Sequence, residues 1–250
     1  MIRRAFRAER RLIATACRVL AARDLASGFL GHISLRVDED RFLVRCRGPR
    51  ERGLAWTVPA DIRLVHAAGD PAGPGELDGY SIPNEWPLHA GILRSQTEVS
   101  AVVHAHPPAV VAVDLAGLSI RPIVGAFDIP GARLAAGGVP IHPSACLIAD
   151  QERAAAMVAS MGDRPVVLLR GHGLASTGSS VQEAVLRAIC VDTIARLSLM
   201  ITSAGGTLAD LSPDDLAGLP DLGPGFTEGV AWRHEVARLG GRPRAVLRWR

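Results

Sequence analysis

Several features that would settle a role at once are scarce in this sequence. Its four cysteines, Cys17, Cys46, Cys146 and Cys190, form no Cys-x-x-Cys pair. Three of them sit inside apolar runs, as buried thiols of a cytosolic protein do. No run of about eighteen apolar residues occurs, so no membrane span is expected. From Ile2 to Leu20 arginines alternate with apolar residues, without the uninterrupted apolar core and small-residue cleavage site of a signal peptide. A cytoplasmic protein is expected. Basic residues outnumber acidic ones by only 28 to 25, and the excess lies at the ends, in Arg3, Arg4, Arg7, Arg10 and Arg11 and again in Arg242, Arg244, Arg248 and Arg250. No basic stripe with interleaved aromatics crosses the body, so nucleic acid is not an expected partner. Internal repeats and low-complexity segments are missing too. What is present is 250 residues at 48% hydrophobic content, enough to bury one substantial core in a single domain spanning 1–250.

The apolar spacing predicts an opening helix over Phe6–Arg23 and a β-hairpin from Ile33–Val37 and Arg41–Cys46, turning at Asp38–Asp40. A further short strand is expected within Leu54–Val65, then a turn-rich stretch over 69–79. A helix follows, with Asn84 as N-cap and Pro87 in its first turn. After an apolar run ending in two histidines, the sequence predicts a helix over Pro107–Leu115 and a strand over Ile120–Val124. An irregular stretch over Gly125–Pro143, with a short helix near Ala132–Ala136, leads to a brief strand over Cys146–Ala149. Asp150 caps a helix reaching Ser160, and strands are expected over Pro165–Leu169 and Leu174–Thr177. Ser180-x-x-Glu183 reads as a capping box opening a helix to about Ala204, stopped by Gly205-Gly206. A last helix is expected over Phe226–Leu239. Strands interspersed with helices indicate an α/β layered domain with a mixed or largely antiparallel sheet.

The chemistry-bearing stretch is V-S-A-V-V-H-A-H-P-P, Val99–Pro108. On a strand, residues i and i+2 share a face, so His104 and His106 would aim both rings at one point. Glu85 at the mouth of its helix and His172, flanked by Gly171 and Gly173, could complete a metal site. Three imidazoles and a carboxylate suit a catalytic divalent cation. His89, one turn after Glu85, would lie on the same side of that helix. By themselves His66, His89, His142 and His234 read as ordinary hydrogen-bonded histidines.

Four segments, G-H-I-S-L-R (Gly31–Arg36), N-E-W-P-L-H (Asn84–His89), H-A-H-P (His104–Pro107) and L-L-R-G-H-G (Leu168–Gly173), resemble in order and spacing those of the class II aldolase/adducin family. The resemblance covers roughly Leu12–Gly206, leaving 207–250 as a segment that could pack at a subunit interface. It implies a three-layer α/β/α lyase with a central mixed sheet and a homotetramer with active sites at subunit interfaces. It also implies one divalent metal per subunit on His104, His106 and His172. Zinc is placed ahead of manganese, iron or cobalt. Glu85 falls on the family's acidic residue, which can touch the metal and transfers the proton.

The departures from the family's sugar-phosphate aldolases are informative. His32 replaces the asparagine of their phosphate site, Thr57-Val58-Pro59-Ala60-Asp61 replaces a hydroxyl-glycine turn, and Pro83-Asn84 replaces a serine pair. Proline lacks an N–H donor, and Asp61 would repel a dianion. Tyr80 is the single tyrosine, and Phe127 stands where a proton-donating tyrosine is expected. His234 could substitute if the C-terminal segment folds over a site. Arginines are plentiful instead, at 36, 45, 47, 50 and 52, and one or two could clamp a carboxylate. Substrate contacts are expected from His32, Ser34, Arg47 and Asn84. The expected reaction is metal-dependent decarboxylation of a non-phosphorylated hydroxylated aromatic or heteroaromatic acid. The alternatives are retro-aldol cleavage of a hydroxy-keto acid or sugar-like substrate, a non-haem iron oxygenase on the same scaffold, and a non-enzymatic adducin-like interaction module.

Overall fold

The computed structural model describes residues 5–26 and 29–240. After α1 (Arg7–Ala22) come β1 (His32–Arg36), β2 (Arg41–Arg45) and β3 (Ile62–His66), then α2 (Trp86–Ser95), β4 (Ala101–Ala105) and α3 (Pro108–Leu115). Next are α4 (Ile129–Ala135), β5 (Ile141–His142), α5 (Gln151–Met161), β6 (Val166–Leu169), β7 (Gly173–Gly178) and the long α6 (Val181–Ser203). Helix α7 (Pro213–Gly218) and a π-helical stretch, Gly225–Ala231, lead into α8 (Trp232–Gly240). The strands form one seven-stranded sheet in the order β3-β2-β1-β4-β7-β6-β5. Every pairing is antiparallel except β5 with β6, giving the mixed, largely antiparallel sheet expected.

Both faces of the sheet are covered, which is why its strands read as nearly continuous apolar runs. In β2, Leu43 points to the face packed by α1, α3, α4 and α6, together with Ile33, Val103 and Leu168. Phe42 and Val44 point to the other face, where Leu88, Ile92 and Leu93 of α2 and Met157 and Met161 of α5 pack over Val102, Val167 and Ala175. This is a three-layer α/β/α arrangement.

Helix starts follow local chemistry. Asp150 caps α5 by accepting from the Arg153 amide at 2.8 Å, and Ser180 caps α6 by accepting from the Glu183 amide at 3.2 Å. The Glu183 carboxylate reaches back to Ser179, one residue before the cap.

Four local expectations are corrected. Glu85, and not Asn84, occupies the cap position of α2, so the helix starts one residue later. Ile120–Val124 forms no ladder, because Pro122 has no N–H to donate. Cys146–Ala149 is irregular, and its Ile148 amide is spent on Glu85. The strand of that region is β5, inside the stretch expected to be irregular.

Candidate metal centre

One end of the sheet gathers the candidate ligands. His104 comes from β4, the middle strand, and its register partner across β1 is His32. His106 follows at the strand exit, where its amide donates to the Leu25 carbonyl at 2.9 Å. His172 sits on the β6–β7 turn beside Gly171, whose φ of 59° is left-handed. A Cβ on Gly173 would collide with the Ala105 carbonyl, so this glycine is what lets β7 approach β4 beside the ligands. Glu85 opens α2 and is 5% exposed.

The geometry brings these four together. One donor atom from each of Glu85, His104, His106 and His172 lies within 4.8 Å of all the others. His104 Nδ1 donates to the Leu174 carbonyl at 2.9 Å, which orients the ring and turns Nε2 toward the cluster as the atom a cation would take. That Nε2 is 3.1 Å from Glu85 Oε2 and 2.8 Å from His106 Nε2, while His172 Nε2 is 3.7 Å from the same carboxylate oxygen. His172 Nδ1 is buried without a partner among the described residues. Three imidazole nitrogens and one carboxylate oxygen converging in a buried place fit a borderline divalent cation better than magnesium or calcium, which prefer oxygen.

Electrostatics supports the same reading. Burial pushes the Glu85 carboxyl up, but the hydrogen bond and charge of His104 and the Ile148 amide, 3.1 Å away, outweigh it and hold its pKa down to about 2. Burial lowers His106 to about 3, reinforced by His104 and His172, and it also lowers His172. The carboxylate is therefore charged and the His106 and His172 rings neutral, protonation states that suit a cation.

Behind the cluster lies a hydrogen-bonded chain. His32 Nδ1 is 2.7 Å from His89 Nε2, and His89 Nδ1 is 2.7 Å from Ser34 Oγ. His89 stacks on Trp86, and the His32 ring centroid is 5.0 Å from that of His104. Burial drives both chain histidines down, His89 to about 3 and His32 well below its ordinary value.

The remaining expected site residues fall elsewhere. Asn84 is exposed just before Glu85. Arg47 bridges to Ser81 and lays its guanidinium 5.6 Å from the Phe29 ring centroid. His234 lies on α8 and lines a separate cavity of about 1070 Å³ with Arg23, Phe127 and Cys190. Two positions were missed by sequence reasoning. His89 is completely buried against His32, and its position four residues after Glu85 was the available signal. Asp114, at the end of α3, accepts from the Gly171 amide at 2.6 Å and pairs with Arg170 at 3.0 Å, fixing the turn that carries His172. Nothing in the sequence pointed to it.

This fold, with its His/Glu cluster, places the molecule among metal-site α/β/α proteins, and the chain belongs to the Class II Aldolase and Adducin N-terminal domain family, whose model matches residues 11–199. Among its relatives, a 3,4-dihydroxyphthalate decarboxylase of Terrabacter sp. (strain DBF63) is 68% identical over 235 residues, covering 94% of this chain and 98% of the relative. A second protein of that name, from Rhodococcus jostii (strain RHA1), is 54% identical and covers 91% and 94%. Among solved structures, an aldolase II superfamily protein from Pseudomonas syringae superposes with a TM-score of 0.73 at 22% identity, over 90% of this chain and 89% of that one.

Proposed function

We propose that this protein is a metal-dependent decarboxylase of hydroxylated aromatic acids, with 3,4-dihydroxyphthalate as its substrate. The observation that carries the proposal is the 68% identity to a decarboxylase of that compound across nearly the whole of both chains. The intact cluster of Glu85, His104, His106 and His172 supports it. A divalent cation held by these residues would supply Lewis acidity at a phenolate oxygen, where negative charge gathers as CO2 departs. The sequence contains no lysine, so an imine electron sink on a lysine side chain is not available to it. Glu85 holds the carboxylate oxygen nearest the cluster and is our candidate for moving the proton that replaces CO2 on the ring carbon. His32 and Arg47 are candidates for contacting the anionic substrate, with Asn84 at the entrance, and Ser34 acts through His89. His234 reaches a site only if α8 meets a neighbouring subunit.

We also propose a homotetramer with sites near its interfaces. Phe29, Leu115 and Leu147 are all more than half exposed, and Phe29 and Leu147 lie close in sequence to His32 and to the Ile148 that bonds Glu85, apolar surface that an interface would cover. A cytosolic location fits the free, buried Cys17 and Cys46. No helix among the described residues is long and apolar enough to cross a membrane.

The test is turnover of 3,4-dihydroxyphthalate by the metal-loaded protein, followed as CO2 and 3,4-dihydroxybenzoate. His104→Ala should lose both metal and turnover while keeping its fold. A folded variant as active as wild type would sink the proposal. Turnover without oxygen separates decarboxylation from oxygenase chemistry, and failure to take up metal after supplementation would favour an interaction module.

A further inference from the structure

The Ser34–His89–His32 chain has a direction that the burial of its members decides. Ser34 is 0% exposed, and its hydroxyl has His89 Nδ1 as its hydrogen-bond partner, with no other among the described residues. If His89 donated from Nδ1 to Ser34, the serine hydrogen would be left buried without an acceptor, which costs about 1–3 kcal/mol. If Ser34 donates instead, each link is satisfied in turn. Ser34 Oγ–H donates to His89 Nδ1, and His89 Nε2–H then donates to His32 Nδ1 at 2.7 Å. The neutral His32 ring is thereby left with its proton on Nε2.

His32 is also well placed to use that proton. It pairs with His104 across β1 and β4, and its ring lies 5.0 Å from the His104 ring, on the sheet face that carries the cluster. We propose that His32 presents Nε2–H as a hydrogen-bond donor to an anionic oxygen of the aromatic acid beside the metal centre, with His89 and Ser34 as positioning residues that set its tautomer. A neutral donor suits this place. It stabilises negative charge on the substrate without adding a second full cation next to the one the cluster holds. The chain explains why a histidine at 32 comes with a buried histidine and a buried serine behind it: a lone imidazole could present either nitrogen state, whereas this one is held in one.

The proposal rests on the decarboxylase reading for the identity of its ligand, and the experiment separates the two. The first measurement is ¹⁵N NMR of the histidine side chains in metal-free protein, which reports the His32 tautomer whatever the substrate. Wild type should show His32 protonated at Nε2 and bare at Nδ1, Ser34→Ala should show a tautomer mixture, and Ser34→Thr should restore the wild-type pattern. The second measurement is equilibrium binding of phthalate, which offers only carboxylates, and of catechol, which offers only hydroxyls, to protein loaded with zinc. His32→Ala should weaken one of these ligands about tenfold or more, identifying which oxygen is held, and Ser34→Ala should weaken the same ligand by a smaller factor with zinc content unchanged. A wild-type His32 protonated at Nδ1, or unchanged affinity for both ligands in folded His32→Ala, overturns the proposal. Lack of turnover of 3,4-dihydroxyphthalate by wild type, with these results intact, overturns the substrate assignment alone.

Discussion

Replacing Asp114 with alanine leaves all four candidate ligands in the chain and removes the contact that shapes the turn presenting one of them. The Asp114 carboxylate accepts from the Gly171 amide at 2.6 Å and pairs with Arg170 at 3.0 Å, and Gly171 holds the left-handed φ of 59° that turns His172 back over the cluster. A hydrogen bond to a charged group contributes about 1.5–3 kcal/mol. If that energy goes into placing His172, its loss corresponds to about 10–100-fold weaker metal binding, at about 1.4 kcal/mol per factor of ten. The same range is found for outer-shell residues that orient metal ligands. Asp114→Asn keeps an oxygen for the Gly171 amide and should lose about tenfold or less. The assay is competition between protein and a chelator of known affinity, with circular dichroism as the check on folding. Asp192→Asn is the control: Asp192 is also 5% exposed and paired with an arginine, Arg196, but lies on α6, so it should alter stability and leave metal affinity unchanged. A folded Asp114→Ala protein that binds metal as tightly as wild type would refute the reasoning.

Gly173→Ala should yield little soluble protein, or a protein of much lower Tm that has lost its metal, because the new methyl group meets the Ala105 carbonyl between β4 and β7; a normal Tm and metal content would count against that packing. Because His89 has its pKa held near 3 in the fold against about 6.5 when unfolded, the unfolded state binds more protons between those values, and stability of the metal-free protein should fall as pH drops from about 6.5 toward 3. His89→Gln should make that fall shallower by up to about 1.4 kcal/mol per pH unit in urea unfolding at pH 7, 6 and 5, and identical slopes would contradict the assignment. Arg23→Ala strands the Glu235 carboxylate, 5% exposed, between α8 and α1. It should cost about 3 kcal/mol of stability with metal affinity unaltered, as read by denaturant melts and chelator competition.

The candidate cluster that the structure brings together was partly legible from short-range rules, and the family resemblance supplied the rest. Period-two alternation put His104 and His106 on one face, and glycines on either side of His172 marked a turn that needs them. The surrounding layer was not legible for a physical reason. His89 meets His32 only because α2 packs across β1, and Asp114 meets Gly171 only because α3 ends beside the β6–β7 turn. Those contacts join residues 57 apart in both cases, and no local pattern encodes them. Between residues 120 and 149 the elements are brief and interrupted by proline and glycine, so apolar spacing suggested strands at Ile120–Val124 and Cys146–Ala149 and passed over the two-residue β5.

The position of β4 has a consequence for how this protein should fail. Three strands lie on each side of it in the sheet, so its amides are shielded in both directions and should exchange with solvent only when the whole chain opens. His104 is fastened to the slowest-opening part of the molecule, while Asn84 and Arg47, candidates for contacting the substrate, sit on connecting segments. Heat should therefore leave His104 in place until global unfolding, while His172 and Glu85 depend on the β6–β7 turn and the start of α2. Substitutions in the segments of Arg47 and Asn84 should leave His104 in place, whereas substitutions in the β6–β7 turn act directly on His172.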